Sequence, residues 1–163
     1  MQKEAMELTF KRAASDDLDQ ILVFMRDLYK SDHIALDEAA ARAALKNLIV
    51  NESFGRVWLI YSEDEAIGYV VLTLGYSLEF HGRDAFIDEL YVQENHRGRG
   101  VGMSAIRFVE EACRDLGVEA LHLEVERGNT RAQTVYRKAG FADHDRYLLT
   151  KWLAPSDIKE NPS

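Results

Sequence analysis

The chain has 163 residues, 47% of them hydrophobic and 29% charged, with a formal net charge of −8. That length suits one domain with a substantial core, and the acidic balance argues against a nucleic-acid binder, which needs a basic face. A single cysteine, Cys113, excludes an internal disulfide and suits a reducing compartment, and no apolar run approaches membrane-spanning length. With no apolar signal segment at Met1–Glu4, the cytoplasm is the expected location and no membrane partner is expected.

Leu8-Thr9-Phe10-Lys11 alternates like a short strand. Ser15-Asp16-Asp17 supplies a cap and an acidic first turn. Leu18, Ile21, Leu22, Met25, Leu28 and Tyr29 then recur at helical spacing, which predicts a helix over 16–30. A second helix is predicted from Asp37-Glu38 to about Val50. Val57–Tyr61 and Ala66–Leu74 flank a polar turn and read as a hairpin. Residues 75–83 read as an irregular loop, and Phe86–Val92 as the next strand.

Residues 101–116 form an amphipathic helical pattern that Gly117 stops, with Cys113 on its apolar face as inert core. Leu121, Leu123 and Val125 alternate with His122, Glu124 and Glu126, the mark of a half-buried strand. Asn129 caps a short predicted helix over 130–139, Gly140 ends it, and Tyr147–Trp152 is a last predicted strand. The prolines, Pro155 and Pro162, mark no internal linker, so one domain over 1–153 and a polar, frayed tail over 154–163 are expected. The order β-α-α-β-β-β-α-β-α-β predicts an α/β fold: a mixed, mostly antiparallel twisted sheet with helices on both faces.

Glu94-Asn95-His96-Arg97-Gly98-Arg99-Gly100-Val101-Gly102-Met103 joins a strand to a helix through three glycines and two arginines. Glycine admits close backbone approach, and a helix N-terminus aims unpaired N–H groups outward, so the turn suits an anionic ligand. It lacks the Gly-Lys-Ser/Thr of a phosphate-binding P-loop, and its spacing misses the dinucleotide fingerprint.

Downstream stands Asn129-x-x-Ala132-x-x-x-Tyr136-x-x-x-Gly140-Phe141. Paired with Arg97-x-x-Gly100-x-Gly102, it resembles the coenzyme A-binding core of the GNAT N-acetyltransferases, and in particular bacterial small-amine, polyamine-type members. The resemblance is close over Phe86–Phe141, and the preceding element order extends it to nearly all of the chain up to Trp152. It implies acetyl-CoA as donor. Backbone N–H groups of Arg97, Gly98, Arg99, Gly100, Val101, Gly102 and Met103 would cradle the pyrophosphate. Leu90, Tyr91 and Val92 would pair with the pantetheine arm as an added strand. Asn129 would reach the pantetheine or serve as a helix cap, or both. Arg97 and Arg99 would add charge near phosphates, with Arg99 the better candidate for plain solvent exposure. Homodimerisation is common in the family; the sequence offers no independent sign of it.

The chemistry asks for more. An alkyl amine of pKa about 10.4 is neutral only on the order of one part in a thousand near pH 7. A base is useful for it, and the departing thiolate needs a proton. The resemblance gives Tyr136 the acid role. It places a carboxylate on the strand entering the turn, either Asp88 or Glu89; spacing back from Val92 favours Asp88. Adjacent strand residues point to opposite faces, so one of the two is expected in the cleft. Tyr29 and Glu79 are further candidates for the acceptor site. His33, His122 and His144 lack metal-ligand spacing, so no metal is expected. The expected acceptor is a small cationic amine. A protein lysine or N-terminal amine is the alternative substrate, and an acyl-CoA sensor without turnover the alternative class.

Overall fold

The computed structural model describes residues 6–154. Met1–Glu4 and most of the predicted tail lie outside the described residues. Nine elements follow one another: β1 (Leu8–Arg12), α1 (Leu18–Ser31), α2 (Glu38–Val50), β2 (Gly55–Ser62), β3 (Glu65–Ser77), β4 (Gly82–Val92), α3 (Val101–Asp115), β5 (Ala120–Leu123) and α4 (Thr130–Lys138). The strands form one sheet in the order β1-β2-β3-β4-β5. The first three pairings are antiparallel, and β4 with β5 is parallel, as a helix crossover requires.

Helices cover both faces, as the alternation of the strands predicts. Val57, Leu59, Tyr69, Val71 and Tyr91 meet Leu18, Ile21, Leu22, Phe24 and Met25 of α1, with Leu45 of α2. The residues between them in sequence, Trp58, Val70 and Leu72, turn to the other face with Ala85 and Ile87, against Ile106, Val109 and Cys113 of α3. Cys113 is buried and its thiol is pushed up to about 11 by desolvation, so it is an inert core group as expected.

The side-chain cap expected of Ser15-Asp16-Asp17 does not form at the start of α1, whereas α2 has one. A single 3-10 turn, Ser15–Asp17, leads into α1, and the Asp17 carboxylate accepts from the Ala14 N–H at 2.8 Å. Asp37 caps α2 by accepting from the Ala40 N–H at 3.1 Å.

The structure corrects three boundaries. Residues 75–83 are not an irregular loop: β3 and β4 pair as far as Ser77 and Gly82, and only residues 78–81 turn. The expected loop carries polar residues because this end of the hairpin projects into solvent, where Tyr76 is 77% exposed. The strand predicted through Val125 ends at Leu123, where β4, its only partner among the described residues, diverges. Tyr147–Trp152 belongs to no strand. Its residues have strand propensity, but strand structure needs a ladder partner, and none meets it among the described residues.

Candidate active site

The pairing of β4 with β5 ends at Ile87 and Leu123. β4 continues to Val92, held on its other side by β3 through Leu90↔Val70, Tyr91↔Tyr69 and Val92↔Gly68. The two parallel strands therefore part, and the β4 edge at Leu90–Val92 is left open toward β5. An extended, amide-containing ligand can fill such an edge as a strand would.

Beyond Val92 a 3-10 turn, Glu94–His96, leads to the glycines and α3. Gly98 and Gly100 have φ of 72° and 82°, a region that side chains with a Cβ disfavour. A Cβ at Gly98, Gly100 or Gly102 would meet nothing within 4 Å, so the space outside the loop is open to a ligand. The first bond of α3 is Ser104 N–H to Gly100 O, at 3.0 Å. The N–H groups of residues 98–103 bond to nothing among the described residues and face the open side of a helix of 15 residues. This cradle fits a diphosphate. Arg97 behaves differently from the expected phosphate contact. Its Nε donates to the Val92 carbonyl at 2.7 Å and its guanidinium lies over the Tyr91 ring, 5.6 Å from the centroid. Arg99 is exposed.

A cleft of about 240 Å³ runs between α3 and α4, lined by Leu90, Gly102, Met103, Asn129 and Tyr136 among others. It joins residues far apart in sequence that the two motifs named. Asn129 Oδ1 accepts from the Ala132 N–H at 3.1 Å, which caps α4 and leaves the amide NH₂ as a free donor. Tyr136 is half-buried beside Phe141, with ring centroids 6.1 Å apart. Its phenol bonds to no described residue, and desolvation raises its pKa, which keeps the proton on the oxygen.

The opposite face of β4 carries the carboxylates. Glu89 accepts from the Tyr29 hydroxyl at 2.6 Å and from the Tyr69 hydroxyl at 3.0 Å, one bond to each carboxylate oxygen. Burial raises its pKa, and the two phenol bonds oppose that rise. Between Val71↔Glu89 and Leu72↔Ile87 the register slips, so Asp88 is the extra residue of a β-bulge. The bulge breaks the alternation that would send Asp88 and Glu89 to opposite faces. The Asp88 charge instead acts on Glu89, Tyr29 and Tyr69 together. The Asp88 side chain reaches solvent, yet the atoms crowded around the bulge still desolvate its carboxyl enough to raise its pKa.

Asp32, just past the end of α1, also acts on Tyr29 and Glu89, and Glu126 raises its pKa after desolvation does. No lysine or arginine pairs with Asp32, Asp88, Glu89 or Glu126 among the described residues. Nearby, the Tyr91 hydroxyl donates to Asp27 at 3.2 Å.

Sequence reasoning missed Tyr69, Asp32 and Glu126. Tyr69 looks like one more core position on an alternating strand, and the other two sit in connecting turns with no motif to mark them. The structure does not bring Glu79 to this site. Glu79 lies in the β3–β4 turn and pairs with Arg146 through two bonds of 2.9 and 2.8 Å. From Gly82 to Glu89 the strand runs roughly 20 Å, at about 3.3 Å per residue. No group of three or more metal-ligating side chains stands together among the described residues, and no helix among them is long and apolar enough to cross a membrane.

An open strand edge, an N–H cradle and a cleft holding Tyr136 lie on one side of β4, and the carboxylates lie on the other. The profile of the GNAT acetyltransferase family matches residues 22–141, and the chain belongs to that family. It is an acetyl-CoA-dependent acetyltransferase with an amine acceptor. Bovine thialysine N-epsilon-acetyltransferase is 27% identical over 150 residues, covering 82% of this chain and 83% of the relative. An integron cassette protein from the mobile metagenome of Cole Harbour Salt Marsh superimposes with a TM-score of 0.79 at 38% identity, over 90% of this chain and 91% of that one. A predicted acetyltransferase from Clostridium acetobutylicum, solved with acetyl-CoA, shares the fold with a TM-score of 0.76 at 15% identity, over 89% and 96% of the two chains.

Proposed function

We propose that this enzyme transfers the acetyl group of acetyl-CoA directly to a small cationic primary amine, with both substrates bound at once. The observation that carries this reading is the cluster of Asp32, Asp88, Glu89 and Glu126, with which no lysine or arginine pairs among the described residues and beside which only the His33 ring acts, on Asp32. An ammonium group entering there supplies the missing counter-charge. The name of the bovine relative, a thialysine acetyltransferase, points the same way.

On the donor side, the N–H groups of residues 98–103 hold the pyrophosphate, while the Arg97 N–H is already committed to the Glu94 carbonyl at 3.2 Å; Leu90–Val92 pair with the pantetheine amides, and the Asn129 amide donates to the same arm. On the acceptor side, Glu89 is held by Tyr29 and Tyr69 and binds the ammonium as a fixed counter-ion. Asp88 has no bond to a described side chain, so its oxygens are the ones left to accept a proton, and desolvation raises its pKa toward that role. It takes a proton from the ammonium; the freed nitrogen attacks the thioester carbon; the carbon–sulfur bond breaks as Tyr136 gives its proton to the departing sulfur; the nitrogen then sheds its second proton to water, from which the Tyr136 phenolate takes one back, leaving the neutral amide, the free thiol and the proton on Asp88. A backbone N–H near Val92 supports the negative charge that builds on the carbonyl oxygen.

A thiol-release assay over a panel of polyamines, lysine analogues, aminoglycosides and lysine-containing peptides tests this. Turnover concentrated on small cationic amines is expected. Preference for the peptides would move the substrate to protein lysines, and donor binding without thiol release from any amine would leave an acyl-CoA sensor.

A further inference from the structure

A second cleft, of about 830 Å³, opens between the end of α1 and the turn that follows β4. It gathers three basic side chains, Lys30, His33 and Arg97, beside two acidic ones, Asp27 and Glu94. None of the three bases pairs with a carboxylate among the described residues. Arg97 commits its Nε to the Val92 carbonyl, which leaves its two terminal nitrogens as donors. In the same wall the Gln93 side-chain oxygen is buried and accepts from no described group. Such an orphan marks a missing donor.

His33 stands out by its backbone. α1 ends as the Ile34 N–H bonds Tyr29 O at 2.9 Å and the His33 N–H bonds Lys30 O at 3.3 Å. This way of ending a helix calls for a left-handed residue, most often glycine, at the place His33 fills with φ 55°. Side chains held in that region cluster at ligand sites. Here the side chain is a ring that lines the cleft.

The cleft continues the acceptor site along β4. Tyr29 bonds Glu89 and Asp27 bonds Tyr91, so both β4 residues face α1. Two residues of strand span roughly 7 Å. A lysine-type side chain spans about 6 Å from its nitrogen to its α-carbon when extended, at about 1.5 Å per bond. An amine held at Glu89 therefore brings the other end of such a molecule beside Tyr91, where the three bases stand.

We propose that the acceptor is an α-amino acid with a side-chain amine, whose carboxylate is held by Lys30, His33 and Arg97 and whose α-ammonium is held by Asp27 and Glu94. On the acetyl-transfer reading above, on which it rests, this narrows the small cationic amine to one that also carries a carboxylate. A polyamine would bring only positive charge to a cleft that holds three bases.

Initial rates with acetyl-CoA test it on three amines. L-lysine is compared with cadaverine, which has the amine and the chain without the carboxylate, and with L-lysinamide, which has the carboxylate neutralised. kcat/KM should be about tenfold or more higher for L-lysine than for either, with the difference in KM. Lys30→Gln should cut that preference about tenfold. His33→Gly should cut it too, yet raise the melting temperature by about 2–4 °C, because glycine adopts φ 55° without strain. A gain in stability with a loss in lysine preference separates a lost ligand contact from a damaged fold. Equal kcat/KM for L-lysine and cadaverine would overturn the carboxylate site and leave acetyl transfer standing. No turnover of any amine would remove the reaction, and this site with it. Variants that keep the lysine preference and instead weaken acetyl-CoA binding by calorimetry would also overturn it, since the bases would then serve a donor phosphate.

Discussion

Replacing Tyr69 with phenylalanine removes one oxygen from the centre of the protein and isolates its bond to Glu89. Tyr69 is 0% exposed, and its hydroxyl donates to Glu89 Oε1 at 3.0 Å. A hydrogen bond to a charged group is worth ~1.5–3 kcal/mol, and the abandoned carboxylate is only partly rewetted, so a loss of about 2 kcal/mol is expected. For a chain of this size that is a fall in melting temperature of roughly 4–8 °C. Chemical unfolding of four proteins measures it: wild type, Tyr69→Phe, Glu89→Gln and the double variant. In the Glu89→Gln background the bond is neutral, so Tyr69→Phe should cost ~1 kcal/mol or less. pH supplies a second check. The bond strengthens the ionised form, so the cost of Tyr69→Phe is greatest where Glu89 is charged. It shrinks as pH falls through the folded-state pKa, which burial has raised above the ordinary carboxylate value. An equal cost in both backgrounds, or a cost independent of pH, would refute the assignment of Tyr69 to Glu89.

Tyr136→Phe should lower kcat by about a hundredfold, the lower end of what acid catalysis supplies. Donor affinity by calorimetry should be nearly unchanged, since the phenol bonds to no other described residue. Gly100→Val places a branched side chain at φ 82° and over the N–H cradle, and should abolish detectable donor binding. Retained affinity would remove the loop as the phosphate site. Glu89→Gln should flatten part of the pH dependence of stability. A carboxyl whose pKa is raised by folding binds its proton more tightly in the native state, so wild-type stability falls as pH rises from the unfolded value, about 4.3, through the folded one. The variant minus wild-type difference should therefore grow over that window and stay level above it.

The helices and most of the sheet were legible because their signals are local. The spacing of Ile21, Leu22 and Met25 predicts the buried face of α1, and all three are buried. The two motifs name residues that meet in one cleft, Gly102 with Asn129 and Tyr136. The Asp88 bulge was not legible, because alternation assumes an unbroken register and the slip is visible only against the partner strand. Tyr69 was hidden for a related reason: its burial announces a core residue, and the polar end of the ring shows a role only once Glu89 stands opposite. The last predicted strand fails on its own chain because propensity describes a residue's suitability for a ladder and cannot supply the other side of one.

The parting of β4 from β5 has a thermodynamic side. The enzyme without donor keeps the Leu90–Val92 edge of its central sheet unsatisfied, and on the proposed reading the donor's amides complete that sheet. The donor then acts as a removable strand, and its free energy of binding adds to that of folding in proportion to the logarithm of its concentration. Resistance of the protein to unfolding and to proteolysis would follow the acetyl-CoA supply, with the fold itself registering how much donor is at hand.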